Sequence, residues 1–223
     1  LQKAYESFRP DIIHIFGTER EKTNAMLTIA GNDRCIISIT GLVSLCACHY
    51  YGGIDSKYLN RPTFNDLVRT MTPRQQQKNF VRLGKCEIAS IKAAKYIFGR
   101  TTWDYACTNQ INPDIRYFHS GEMLRPVFYE HKWNPKKIQL HSIFVSQGTY
   151  PLKGLHMLFE ALPVLIRRFP DVQVYIAGPD ITKQETLLDR IKRTTYGAYL
   201  KKLIVQYQLQ QHLNFLGPLS AEQ

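Results

Sequence analysis

Residues 143–180, IFVSQGTYPLKGLHMLFEALPVLIRRFPDVQVYIAGPD, read as one strand–loop–helix–strand unit. Ile143, Phe144 and Val145 are a β-rich run, and Gly148, Pro151 and Gly154 open a loop behind it. Leu155, Leu158, Phe159, Leu162, Leu165 and Ile166 then recur at helical spacing, the apolar stripe of a helix packed on one side. Phe169-Pro170-Asp171 stops that helix, Val172–Ala177 supplies the next strand, and Gly178-Pro179-Asp180 turns the chain away. Strands joined by such a helix are expected to be parallel with a right-handed crossover. The loop Gln147–Lys153 then lies at the carboxyl end of a sheet, where α/β folds bind ligands. Lys153-Gly154 sits where the helix begins, so an ammonium and unpaired first-turn N–H groups are expected to face one anion, with phosphate the natural fit. A solvated loop lysine is the plain alternative.

Outward from this unit, strands and helices alternate, which predicts an α/β architecture with parallel sheets. Toward the amino terminus, Ile12–Phe16 reads as a strand, and Thr18-Glu19-Arg20-Glu21 has the capping-box form of a helix running to about Gly31. Cys35–Ile39 is the next strand, and Gly41–Tyr51 a loop or helix entry. Thr63–Asp66 caps a helix that Pro73 interrupts. From Arg74 to about Ile97 the pattern is helical with Phe80, Ile88, Ile91 and Ala94 inward, and short strands follow at Tyr96–Phe98 and Ile115–His119, separated by a helical turn at Trp103–Cys107. The polar stretch EHKWNPKK predicts a boundary, giving domains over 1–131 and 138–223. In the second, a helix around Tyr199–Leu209 precedes a strand at His212–Leu216 that ends in Gly217-Pro218.

The chain has 223 residues, 44% of them hydrophobic and 12% aromatic, which describes a globular protein with a sizeable core. No apolar run approaches the roughly 18 residues of a membrane span and no signal peptide leads the sequence, so a cytoplasmic protein is expected. Five cysteines without paired short spacings read as reduced thiols, and Cys46-Ala-Cys48-His49 lacks the second ligand pair of a zinc site. The net charge of +11 is spread along the chain with no nucleic-acid module around it. A solvated basic surface and attraction to anionic membrane lipids are its two readings.

The run from Val145 to Gly154, followed by LHMLFEALPVLIRRFPDVQVYIAG, resembles the start of the donor-binding domain in glycosyltransferase family 4, the retaining transferases of the GT-B fold with its two Rossmann-like domains. Gly99–Asp104 and His119–Arg125 resemble a subgroup from bacterial surface-polysaccharide pathways. In the family an arginine after the strand and a lysine before the helix glycine hold the donor diphosphate. Lys153 matches the lysine, while Gln147 stands where the arginine is usual and Ser146 where a glycine is common. The resemblance implies that Lys153 carries the catalytic charge and that Gln147, Gly148, Lys153, Gly154, Gly178 and Gly217 bind a nucleotide-sugar donor. It further implies a glycan or lipid-linked acceptor and no metal or other cofactor, while the spread of basic charge predicts no nucleic-acid partner and, with a lipid-linked acceptor, peripheral contact with an anionic membrane at its inner face. The family's two glutamates spaced by seven residues and its first glycine-rich loop are absent, so the chain is expected to be an internal piece in which both domains are incomplete, unable to transfer sugar alone. An epimerase acting on nucleotide sugars and a non-catalytic nucleotide-binding domain fit the same fold.

On the acceptor side, Pro10–Glu19 looks like the family's strand in which a histidine, here His14, alternates with aliphatics. His14 is equally read as a satisfied core histidine. Gly17, Thr18 and Glu19 lie at that strand's carboxyl end, and Glu19 reads either as a sugar-hydroxyl acceptor or as a helix cap. Thr40 and Gly41 stand where many family members place a histidine, and His49–Gly53 offers aromatic faces for a sugar or for packing. Arg100, at a strand end, is set to meet an anionic group or to pair with Asp104 or Glu122, while Glu122 and Arg125 are spaced to pair across one turn.

Overall fold

The computed structural model describes residues 1–221. Seven strands are β1 (Ile13–Phe16), β2 (Cys35–Ser38), β3 (Tyr96–Gly99), β4 (Arg116–His119), β5 (Ser142–Val145), β6 (Gln173–Ala177) and β7 (Leu213–Gly217). The helices in the first half are α1 (Gln2–Phe8), α2 (Glu21–Ala30), α3 (Val43–Cys48), α4 (Ser56–Leu59), α5 (Phe64–Val68), α6 (Pro73–Ala93) and α7 (Thr102–Ile111). Then come α8 (Val127–Glu130), α9 (Leu155–Arg168), α10 (Leu187–Ile191) and α11 (Thr195–Gln206). The fold is α/β with two parallel sheets, ordered β1-β2-β3-β4 and β5-β6-β7.

Two compact units hold these sheets. The first is Leu1–Cys48 with Gln77–Met123; the second joins His49–Gln76 to the chain from Leu124 onward. This division differs from the expected one in two ways. The changeover falls at Met123–Leu124, ahead of the polar EHKWNPKK stretch, and α4 and α5 fold with the second unit. Local signals report where a helix starts and stops but not which core its apolar face will join. Ile54 and Leu59 belong to the core of the second unit, with Leu155, Phe159, Leu162, Val174 and Leu200.

In the first unit, register pairs Ile13 with Cys35 and Ile37 with Ile97. The alternation of β1 sends Ile13 and Ile15 into a core built on Ile37, Leu42, Ile91 and Ile97, and leaves Phe16 exposed. Helix α6 departs from its expected face. Ile91 and Ala94 are buried as expected, but Ile88 is exposed and the inward positions before them are Gly84, Glu87 and Ser90. Pro73 begins this helix, at a position where its missing N–H costs nothing. The box expected at Thr18–Glu21 does not form: Arg20 is the cap residue of α2 and gives no side-chain bond. One forms instead at Thr101 and Asp104, and it extends the expected short turn into the ten residues of α7.

In the second unit, β5, β6 and β7 run parallel with Val145 opposite Ile176 and a register shift at Ile176/Ala177. Helix α9 buries Leu155, His156, Phe159 and Leu162, the expected stripe with one histidine added. Helix α11 starts at Thr195, one turn before the expected Tyr199, because Thr194 caps it through Gly197 N–H. The segment from 49 to 76 is fastened to α9, to α11 and to the chain just ahead of α11 by hydrogen bonds, of which Asp66, Thr195 and His156 are the buried members. Asp66 accepts from Thr195 N–H at 2.7 Å and from its hydroxyl. Thr63 donates to Arg193 O at 2.6 Å, and Asn65 to Lys192 O at 3.0 Å. His156 Nε2 lies 2.8 Å from Gly52 O. A carbonyl can only accept, so Nε2 carries the hydrogen and Nδ1 is left to accept from the Tyr196 hydroxyl 3.1 Å away. Burial pushes the Tyr196 phenol up, which keeps it a donor.

Candidate functional site

The loops leaving the carboxyl ends of β5, β6 and β7 form one cleft in the second unit. A cavity of about 710 Å³ is lined there by Ser146, Gln147 and Thr149 from the first loop, Gly178 and Pro179 from the second, and Pro218 from the third, with Phe144 as its apolar wall. Parallel strands with helices on their return paths all finish at this edge, so three loops distant in sequence converge. Of the expected donor residues, Gln147 and Gly178 line this cavity directly, and Gly217 precedes its Pro218. Gly178 and Gly217 both take positive φ, 96° and 72°, and Gly178 N–H donates to Gly217 O at 2.8 Å, so the two loops are tied where they leave the sheet. Gly148 has a packing role. A Cβ there would stand 2.6 Å from Leu155 Cδ2 and 3.2 Å from its Cβ, so glycine lets this loop close onto α9 without displacing Leu155.

Lys153 and Gly154 lie outside that lining, at the foot of α9. Gly154 takes φ 72° as the helix begins, and the Lys153 ammonium is exposed, 5.5 Å from the centroid of the Tyr150 ring. The expected set of unpaired first-turn N–H groups is reduced. His156 N–H goes to the Tyr196 hydroxyl at 3.3 Å, and Met157 and Leu158 N–H go to Gly154 O. What the foot of α9 presents is chiefly the Lys153 charge, with no carboxylate paired to it among the described residues.

In the first unit the acceptor-side candidates separate into buried and presented groups. Thr18 is fully buried and donates to Glu87 at 3.1 Å, so its hydroxyl holds the fold together and is turned away from the cleft edge expected of it. Gly17 takes φ 92° and its N–H donates to Ser38 O. Glu19 pairs with Arg20 at 3.3 Å through one oxygen, and its other oxygen is buried without a hydrogen-bond partner. Glu19 makes no side-chain cap bond to α2, whose cap residue is Arg20. Arg100 bridges the ends of β2 and β4: its guanidinium donates to Thr40 O at 3.3 Å and pairs with Glu122 at 2.8 Å. Asp104 is committed to the cap of α7 and takes the Arg100 backbone N–H, so of the two acids weighed it is Glu122 that pairs, and Glu122 does so with Arg100 ahead of Arg125. His14 faces away from the core, 2.7 Å from Ser38 Oγ, with Phe16 and Phe98 beside its ring. These rings, Arg100 and Glu122 line a cavity of about 450 Å³.

Glu87 is the residue whose role the sequence pattern conceals. It is fully buried in α6 and its two oxygens accept four hydrogen bonds: Thr18 hydroxyl, Val43 N–H at 2.8 Å, Ser44 N–H at 2.9 Å and Ser44 hydroxyl. One turn earlier, a Cβ on Gly84 would stand 2.7 Å from Ser44 Cα, so glycine lets α6 approach the first turn of α3 closely enough for Glu87 to reach. The loops after β1 and β2, which carry Gly17, Glu19, Thr40 and Gly41, are thereby fixed to a single carboxylate. In the sequence Glu87 is one polar residue among the many of α6, indistinguishable from a solvated face without the fold.

All five cysteines are free, with Cys35 buried and Cys48 exposed. Among the described residues no group of three or more His, Cys, Asp or Glu side chains is placed to hold a metal ion, and no helix is long and apolar enough to cross a membrane. Comparison with protein-family models finds no match, and comparison with curated proteins finds none.

Proposed function

We propose that the chain belongs to a retaining glycosyltransferase of GT-B architecture, a hexosyltransferase of cell-surface polysaccharide synthesis, moving a sugar from a nucleotide-sugar donor to a glycan or lipid-linked acceptor at the cytoplasmic face of a membrane. The observation that carries this reading is the convergence of Gln147, Gly178 and Pro218 on one cavity at the carboxyl edge of the second sheet, with the uncommitted Lys153 charge at the foot of α9. A departing nucleoside diphosphate gathers negative charge on phosphate oxygen. A fixed cation stabilises that charge more in the transition state than in the ground state, and no metal or other cofactor enters the step. In this reading Lys153 supplies the charge, Gln147 donates a neutral hydrogen bond, and the glycine turns at 178 and 217 let ligand atoms approach the backbone. Arg100, Thr40, Gly41, Gly17 and Glu19 stand on the acceptor side.

Calorimetric titration with a nucleoside and with its diphosphate tests the reading. Lys153→Ala is expected to weaken diphosphate binding by roughly 10- to 100-fold, the worth of one charge-assisted contact, while nucleoside binding and thermal stability stay nearly unchanged. Equal losses for both ligands, or none for either, would remove Lys153 from the site. In the same titration Gln147→Arg is expected to tighten the diphosphate by about tenfold, since charge-assisted bonds are roughly twice as strong as neutral ones. Unchanged affinity with the fold intact would show that this loop does not face the phosphates.

A further inference from the structure

We infer that α5 and α10 of the second unit form a surface that docks on an anionic lipid bilayer. The two short helices are neighbours: Thr63, which caps α5, donates to Arg193 O, and Asn65 donates to Lys192 O at the end of α10. Both present apolar side chains outward. Phe64, Leu67 and Val68 on α5, Met71 just beyond it, and Leu187, Leu188 and Ile191 on α10 range from 48% to 77% exposed. Seven large apolar groups on two adjoining short helices are a patch, unlike the scattered exposed leucines of an ordinary surface.

The charges around the patch decide its partner. Arg61, Arg69, Arg74, Arg190, Lys192 and Arg193 make no side-chain ion pair or hydrogen bond among the described residues. The acids of the same stretches are committed: Asp55 to Lys57, Asp66 to Thr195, Glu185 to Lys183, and Asp189 to the cap of α10. An apolar face bordered by unpaired Lys and Arg, whose aliphatic stems can lie along acyl chains while their heads stay at the phosphates, is the composition of an interfacial helix. A bilayer supplies both halves of the match at once, hydrocarbon for the seven apolar groups and a sheet of negative charge for the six cations. The inference deepens the transferase reading, to which it adds a route to a lipid-linked acceptor. It rests on that reading only for this consequence, since the surface is argued without nucleotide or sugar.

Sedimentation with vesicles tests it on the whole chain, using phosphatidylcholine alone or with about one third phosphatidylglycerol, with no nucleotide sugar present. The chain is expected to pellet with the anionic vesicles, to stay in solution with the neutral ones, and to be released by high salt. Leu187→Ser with Leu188→Ser should lower the anionic partition about tenfold, and Arg190→Gln, Lys192→Gln and Arg193→Gln together on the order of a hundredfold, at about fivefold per cation. The side chains are exposed, so all variants should melt like the parent. Arg167→Gln with Arg168→Gln, on α9, is the control and should change little. Recovery in the supernatant with both vesicles, equal pelleting with neutral and anionic vesicles, or an equal loss in the α9 control would overturn the assignment. Self-association abolished by the Leu187/Leu188 pair without lipid binding would assign the patch to a second copy of the chain instead. Diphosphate titration of the same variants keeps the two readings apart, because a failed vesicle result leaves Lys153 binding untouched.

Discussion

Glu87→Ala is expected to destabilise the first unit by about 3 kcal/mol, because it removes the shared acceptor of two backbone N–H groups and two hydroxyls in a buried to part-buried site. Glu87→Gln separates charge and hydrogen bonding from shape. One glutamate oxygen takes Thr18 and Val43, the other takes both groups of Ser44. An amide fills the same volume but must turn its NH₂ toward one of those donor pairs, so about half of the loss should remain. Amide hydrogen exchange localises the effect, with Val43 and Ser44 losing protection first. If both amides exchange as in the parent when Glu87 is alanine, the carboxylate does not hold the β2–α3 loop. In the proposed enzyme the same substitution frees the loops carrying Gly17, Glu19, Thr40 and Gly41. The acceptor should then be felt before the donor, as a rise in its KM while diphosphate affinity in the other unit stays the same.

That residue also marks the limit of what could be read without coordinates. Strands β1, β2, β5 and β6 stand out because runs such as IHIF, CIIS and QVYIA are rich in β-branched and aromatic groups, and α9 because its stripe keeps helical period for three turns. At Ile88 the face of α6 differs from the expected one, because hydrophobicity alone does not mark burial. Beside Ile91, the helix buries Gly84, Glu87 and Ser90, which serve close approach and hydrogen bonding, and that part of the face has no apolar signature. Thr18 shows the same limit in reverse. Its capping-box spacing is real in sequence, but Glu87 from a distant helix competes for the hydroxyl and wins. On the donor side, the convergence of Gln147 and Gly178 followed from parallel-sheet topology alone. The internal satisfaction of the α9 first turn did not, because Tyr196 lies 40 residues from His156.

The allocation of residues 49–76 to the second unit is tested most sharply at Gly197, where substitution by alanine is expected to cost more than about 3 kcal/mol, an overpacking clash against backbone. A Cβ at that position would stand 2.1 Å from Ile181 O and 3.0 Å from Ile181 C, atoms that no rotamer change can move. The glycine sits in the first turn of α11, directly after Thr195 and Tyr196. A shift of the helix to relieve the clash therefore moves Thr195 away from Asp66 and the Tyr196 hydroxyl away from His156. Asp66→Ala attacks the same junction from the other side. It leaves Thr195 N–H and hydroxyl without their acceptor but introduces no clash, so about 2–3 kcal/mol is expected. The two losses should be less than additive, because once α11 has shifted the Asp66 contact is already broken. Urea unfolding of the two single variants and the double variant measures this. Full additivity would mean that Gly197 and Asp66 act at separate places, and a Gly197→Ala chain as stable as the parent would mean that the start of α11 is not pressed against Ile181.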